Sequence, residues 1–240
     1  MPARNPMGLH QAAWCRHGGR RDAIERGMIR YDRNFRALAC GLAALAGYVD
    51  AIGFMKSGGL FVSFMSGNST RMAIGIAEGF TLGLAAAALI ALFVCGVVLN
   101  RILCAKVTIA HRKVTAMTGV TALLTGAAIC QSAGLDLPAI GMLCLAMGAS
   151  NTIFQRDGEV SIGVTYMTGT LVKLGHKLAE AALGGNRTAW LPYLLLWFAL
   201  IFGGILGAAA YSWSPDMSIW IASAVALALA VATLMLTERM

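Results

Sequence analysis

Charge is scarce in this sequence. Asp, Glu, Lys and Arg make up only 12% of the 240 residues, while hydrophobic residues reach 58%. An ordinary soluble domain carries ~25% charged residues and ~45–50% apolar ones, so a water-soluble fold could not hide this much apolar surface. The mean hydropathy of +0.70 points the same way. Acidic residues are the rarer sign, 11 against 19 basic, which leaves a formal net charge of +8. That surplus does not read as a nucleic-acid footprint. Eight of the 19 Lys and Arg precede residue 37, and most others fall in short loops, the distribution that orients inserted helices.

Enzyme signatures are missing as well. The chain has no HExxH, GxSxG, Walker A or dinucleotide-binding fingerprint, so no catalytic residue is assigned and enzymatic activity is not expected. The cysteines, Cys15, Cys40, Cys95, Cys104, Cys130 and Cys144, contain no CxxC pair and mostly sit inside apolar runs, where they read as small hydrophobes. His10, Cys15 and His17 lack a fourth ligand and a rigid frame, and His176 and Glu180, though i, i+4, lack further partners. No metal or cofactor is expected.

What is there is apolar length. Runs recur at 35–55, 80–103, 115–133, 137–154, 189–212 and 217–237. Each approaches or exceeds the ~20 residues that cross a ~30 Å hydrocarbon layer at 1.5 Å rise, and a few fall slightly short. Six spans are therefore expected. Residues 1–34 read as a basic tail with little periodicity, and Met28 offers an alternative start, since MIRYDRNFR is a sufficient positive flank. Ala44-Leu45-Ala46 imitates a signal-peptide cleavage site, but the apolar run continues to Met55 and the residues beyond recur later in the chain.

That recurrence is an internal repeat. Gly47-Tyr48-Val49-Asp50 and then Phe64-Met65-Ser66-Gly67-Asn68-Ser69-Thr70-Arg71 are echoed by Gly148-Ala149-Ser150-Asn151 and Tyr166-Met167-Thr168-Gly169-Thr170-Leu171-Val172-Lys173. Ala91–Gly96 lines up with Ala199–Gly204, so the offset drifts only from 101 to 108. Repeat 1 then covers residues 35–133 and repeat 2 residues 134–240.

Each repeat contains an odd segment, Gly58–Gly79 and Val160–Gly184, that begins apolar, breaks at small and hydroxyl residues, and then carries charge. Arg71 and Glu78 share one helical face; Lys173, His176, Lys177 and Glu180 form an i, i+3, i+4, i+7 stripe. Neither face can meet lipid cheaply. If both odd segments span fully, eight crossings arise in two parallel repeats, and the basic loop with Lys106, His111, Arg112 and Lys113 lies opposite the basic N-terminus. If both are interrupted or re-entrant, six crossings result. The tail, the 104–113 loop, Arg156, Arg187 and Arg239 then share the inner side, while Lys56, Asp136 and Asp216 lie outside. The positive-inside rule favours the second arrangement. Three full crossings per half is an odd number, so the halves must be inverted. The expected fold is thus an all-α integral membrane protein of six transmembrane helices plus two broken segments, arranged as two inverted repeats.

GYVDAIGF at 47–54, GGLFVSFMSGNSTRMAIGIAEG at 58–79 and TYMTGTLVKLG at 165–175 resemble the YoaK-like family of bacterial multi-pass membrane proteins, a domain of unknown function. The resemblance covers roughly residues 35–237. It implies a multi-pass helical fold in the bacterial inner membrane and brings no assigned substrate or reaction.

The candidate site follows from the breaks. Asp50 lies inside the first apolar span, with Asn151 as its repeat mate, and serves either as a proton or cation relay or as a structural partner for Arg71. Ser66, Gly67, Asn68 and Ser69, with Thr168, Gly169 and Thr170, resemble a helix start whose side-chain oxygens cap free amides. With Arg71 and Lys173 one turn on, such a start favours an anionic or strongly polar solute. The competing reading is close helix crossing through small residues. Gly96, Gly203, Gly204 and Gly207 read as packing surfaces, and Gly203-x-x-x-Gly207 could serve the monomer or a homo-oligomer. Trp190, Tyr193, Trp197, Tyr211, Trp213 and Trp220 sit at span ends, as an interfacial belt would. The leading expectation is a small transporter or channel with Asp50, Ser66, Gly67, Asn68, Arg71, Asn151, Thr168, Gly169, Thr170 and Lys173 at the repeat interface. The alternative is a non-transporting scaffold, sensor or assembly factor whose basic tail and 104–113 loop bind a partner or anionic lipid.

Overall fold

A computed structural model describes residues 33–156, 159–160 and 165–238. The N-terminal tail with Met28, His10, Cys15 and His17, the start of the second odd segment at 161–164, and Arg239 lie outside the described residues.

The described chain is almost entirely helical. Its elements are α1 (Arg33–Lys56), α2 (Met65–Glu78), α3 (Thr81–Ala105), a 3-10 turn (Ile109–His111), α4 (Arg112–Ser132) and α5 (Asp136–Ser150). A two-residue hairpin follows, β1 (Gln155–Arg156) against β2 (Glu159–Val160), then α6 (Met167–Ala182), α7 (Leu191–Trp213) and α8 (Pro215–Glu238). Five helices, α1, α3, α4, α7 and α8, are long and apolar enough to cross a membrane. The expected run at 137–154 differs. Its helix has 15 residues and stops at Ser150, and at 1.5 Å rise that is ~22 Å. The reason is local. Ser150 Oγ and Asn151 Nδ2 both donate to the Met147 carbonyl, and Thr152 Oγ1 donates to that of Ala149, so three consecutive polar side chains compete with the helix for its last acceptors. The chain leaves through a buried turn, Asn151 to Phe154.

Packing crosses between the halves. α1 lies chiefly on α7, and α5 lies on α3 and α4. α1 is the most enclosed span, with 61% of its apolar window buried against no more than 33% in the others. The crossings are made by glycine against backbone. A Cβ on Gly47 would collide with the Leu200 carbonyl, one on Gly203 with that of Ala44, and one on Gly207 with that of Tyr48. The other pair repeats the pattern: Gly148 meets the Phe93 carbonyl, Gly96 meets that of Leu145, and Asn100 Nδ2 donates to that of Ala149 at 3.1 Å. A shift of 101 residues carries Ala44, Gly47 and Tyr48 onto Leu145, Gly148 and Ala149, and a shift of 107 carries Phe93, Gly96 and Asn100 onto Leu200, Gly203 and Gly207. Gly96 therefore pairs with Gly203, and the expected alignment to Gly204 moves by one residue. Gly203 and Gly207 are spent inside the monomer, on α1.

Helix ends gather in sets. Lys56, the last residue of α1, forms an ion pair with Asp136, the first of α5. Beside them Gln131 donates to Asp216 at 2.8 Å, and Trp220 Nε1 donates to Ser132 Oγ at 3.1 Å. The turns bearing Lys56, Asp136 and Asp216 thus share one end of the bundle. Arg36, Cys40, Thr188 and Leu191 line a cleft where the starts of α1 and α7 meet. Leu99, Phe202, Ile205 and Leu227 point outward from α3, α7 and α8, each more than half exposed. Among the expected belt residues, Tyr193 is buried instead.

Candidate functional site

The first break is built from backbone that must find partners without a helix. Beyond Lys56 the chain turns through Gly58 (φ 71°) and Gly59 (φ 116°), both in the left-handed region where a side chain is strained. Ser57 Oγ accepts from the Leu60 amide at 2.9 Å and closes the turn. The chain then runs back along α1, and Gly53 makes room for it: a Cβ there would stand 2.6 Å from Val62 Cγ1.

Two side chains answer this strand-like stretch. Asp50 Oδ1 accepts from the amides of Val62 (2.9 Å) and Ser63 (2.7 Å). Asn68, fully buried, accepts from the Phe61 amide at 2.9 Å and returns its own Nδ2 to the Phe61 carbonyl at 2.6 Å. Non-helical backbone in an apolar layer needs such internal partners, because each unmet amide or carbonyl there costs several kcal/mol. Asp50 and Asn68 are thus the clasps that hold the break against α1 and α2.

Arg71 is not the partner of Asp50. Its guanidinium lies 5.6 Å from the Phe54 ring centre and 5.8 Å from that of Phe61, with Gly59 beside it. Phe61 packs in turn on Phe54 and edge-on to Phe64. Arg71 forms no ion pair among the described residues. The rings supply cation–π attraction and leave its charge available to an anion.

The capping expected of the small polar residues is absent. Phe64 and Tyr166 occupy the N-cap positions of α2 and α6, and neither provides a side-chain cap. The hydroxyls bond backwards instead: Ser69 to the Met65 carbonyl, Thr70 to that of Ser66 and Thr170 to that of Tyr166. Gly67 sits under Phe61 and Phe64, where any Cβ would strike a ring, so its role is packing. Ser66 is exposed.

The second break mirrors the first in outline. Asn151, buried, accepts from Thr165 Oγ1 at 3.0 Å, as Asp50 accepts from Ser63. Thr170 is buried, whereas Thr168, Gly169 and Lys173 are exposed, and nothing lies within 4 Å of a Cβ built on Gly169. Among the described residues α2 packs on α3 and α6 on α7, and the two do not pack against each other. The structure therefore unites Asp50, Asn68 and the non-helical Phe61–Ser63 stretch in one cluster and Asn151 with Thr165 in another.

Sequence reasoning missed Asn100, Ser57, Thr165 and the two phenylalanines around Arg71. Asn100 carried the clearest signal, a polar side chain in the last turns of an apolar span, next to Arg101. Buried, it donates to Thr152 Oγ1 at 2.9 Å as well as to the Ala149 carbonyl.

A family model described as "Protein of unknown function (DUF1275)" matches residues 38–232. The chain belongs to the DUF1275 family. Its matched region contains six of the eight described helices entire and most of α1 and α8, leaving out only the extremities. The chain is also similar to the UPF0700 transmembrane protein RA0705 of Rhizobium meliloti (strain 1021), at 33% identity over 203 residues, covering 85% of this chain and 88% of that protein. No solved structure matches. This DUF1275 member is a multi-pass membrane protein, in agreement with the transmembrane relative, with the resemblance carried by GYVDAIGF and SFMSGN and with its five long apolar helices.

Proposed function

We infer that this DUF1275 protein is a small transporter or channel of the bacterial inner membrane that passes a small polar or anionic solute. The observation that carries the reading is Arg71: a cation held by Phe54 and Phe61 beside a helix break, with no ion pair among the described residues. A permanent charge in a membrane segment is costly unless it meets a partner or lines a wet cavity. A passing anion would be that partner.

The two halves, residues 35–133 and 134–240, act as inverted repeats with six crossings, counting the short α5, and both termini are cytoplasmic. Reciprocal glycine contacts support the repeat, and the pairing of the end of α1 with the start of α5 supports their opposite sense. Ser66 and Arg71 from one half and Thr168 and Lys173 from the other flank the path, while the buried Asn68, Asn151 and Thr170 hold the breaks in shape.

Purified protein in liposomes, with valinomycin clamping the potential, should pass one or more of chloride, nitrate, formate and phosphate, and Arg71→Ala should reduce that flux while the variant stays folded. A folded Arg71→Ala with unchanged flux removes the site. A second reading, a scaffold, sensor or assembly factor that transports nothing, draws on a different observation: Asp50 and Asn68 are already engaged by backbone. Water-soluble thiol reagents that fail to reach cysteines placed at 66–71 from either side would favour it.

A further inference from the structure

We propose that the Lys56–Asp136 ion pair is a latch that keeps the first break closed against the second half of the protein. Two features of the pair set it apart from ordinary surface contacts. It joins the halves, whereas Lys177 and Glu180 pair within one helix turn of α6. It is also lopsided: the Lys56 side chain is only 5% exposed and that of Asp136 68%. The ammonium has given up its water and depends on one carboxylate from the other half, so removing that carboxylate strands a buried cation.

The position of Lys56 makes that dependence consequential. Ser57, the next residue, begins the turn whose amides and carbonyls lead to the Asp50 and Asn68 clasps. Between the latch and the clasps lie Gly58 and Gly59, and a Cβ on Gly58 would find nothing within 4 Å. The Ser57 and Gly59 amides tie this turn to the Gly53 and Phe54 carbonyls of α1, so it moves with the last turn of α1 once the anchor is released. A Lys56 that moves out to water draws the last turn of α1 with it and pulls Val62 and Ser63 away from Asp50. The latch thereby deepens the transport reading, since it names the contact that must open on this face, but it concerns exposure of the break and stands or falls apart from flux.

Hydrogen–deuterium exchange on the full chain in lipid nanodiscs tests it. In Asp136→Asn, amides of the 57–64 segment should exchange faster by on the order of tenfold, while the Gln131–Asp216 end of α4 and α8 keeps its wild-type rate. The reversed pair, Lys56→Asp with Asp136→Lys, should restore slow exchange. The apolar pair, Lys56→Met with Asp136→Leu, should stay slow too, because no charge is left stranded. Wild-type exchange at 57–64 in a folded Asp136→Asn protein overturns the latch, and so does an acceleration spread equally over α4 and α8. Because the readout is exchange, a protein that moves no solute can still show the latch, and a transporter can lack it.

Discussion

Gly203 of α7 lies directly on the main-chain carbonyl of Ala44 of α1, and Gly96 of α3 lies in the same way on that of Leu145 of α5. Each first helix of a half is therefore covered by the third helix of the other half. The contacts are backbone to backbone, so no rotamer change can make room for a side chain.

Gly203→Val and Gly148→Val should be among the most damaging single changes. Overpacking costs ~1–3 kcal/mol where side chains can give way, and these sites should meet or exceed the top of that range. Gly175→Ala is the contrasting case: it lies inside α6 with nothing within 4 Å of the added methyl. It should stabilise α6 by ~0.5–1 kcal/mol, the usual advantage of Ala over Gly within a helix. Thermal unfolding in detergent should rank the three accordingly.

Asp50→Ala and Asp50→Asn should part company. Alanine leaves the Val62 and Ser63 amides without an acceptor, and each buried orphan costs ~1–3 kcal/mol. Asparagine keeps an oxygen in place, as Asn151 does for Thr165 in the second half. Its melting temperature should therefore lie much nearer wild type than that of the alanine variant. Equal losses in the two would show that the carboxylate charge, not the acceptor, holds the break.

Asn100→Ala should destabilise by about 1–3 kcal/mol. It removes the donor shared by Thr152 and the carbonyls of Ala149 and Ala116. Asn100→Gly, which copies Gly207, should keep the close crossing yet lose the same bonds. Chemical unfolding of the two variants in mixed micelles reads both effects.

Arg71→Gln should leave folding intact, because the amide still packs between Phe54 and Phe61. Any solute flux found for the wild type should fall on the order of tenfold, the loss of ~1.4 kcal/mol of anion attraction. Arg71→Lys should keep part of that flux, since it keeps the charge and loses the planar stacking.

Much of this was legible from residue order alone. Apolar run length placed helices in all six runs, five of them long enough to cross a membrane, and Gly47 and Gly148, singled out as repeat positions, both lie at helix crossings. The helix in the 137–154 run is shorter than the run itself because Ser150, Asn151 and Thr152 bond back to the helix they end, an effect hydropathy does not see. At the candidate site, type and spacing singled out Asp50 and Asn68 but not their work. A carboxylate inside an apolar run reads the same whether it faces a solute or two amides twelve and thirteen residues on. The Lys56–Asp136 pair spans 80 residues and has no local trace.

The exchange of packing partners between halves also governs how the protein is made. α1 is complete once Lys56 has been synthesised, but the helix that covers its glycine face begins at Leu191. At ~5–20 residues per second, a nascent α1 spends on the order of ten seconds in the bilayer with Gly47 and the carbonyls of Ala44 and Tyr48 facing lipid or the insertion machinery. A ribosome that stalls before α7 leaves behind a fragment whose most enclosed helix has no partner, which makes truncated products natural targets for membrane quality-control proteases.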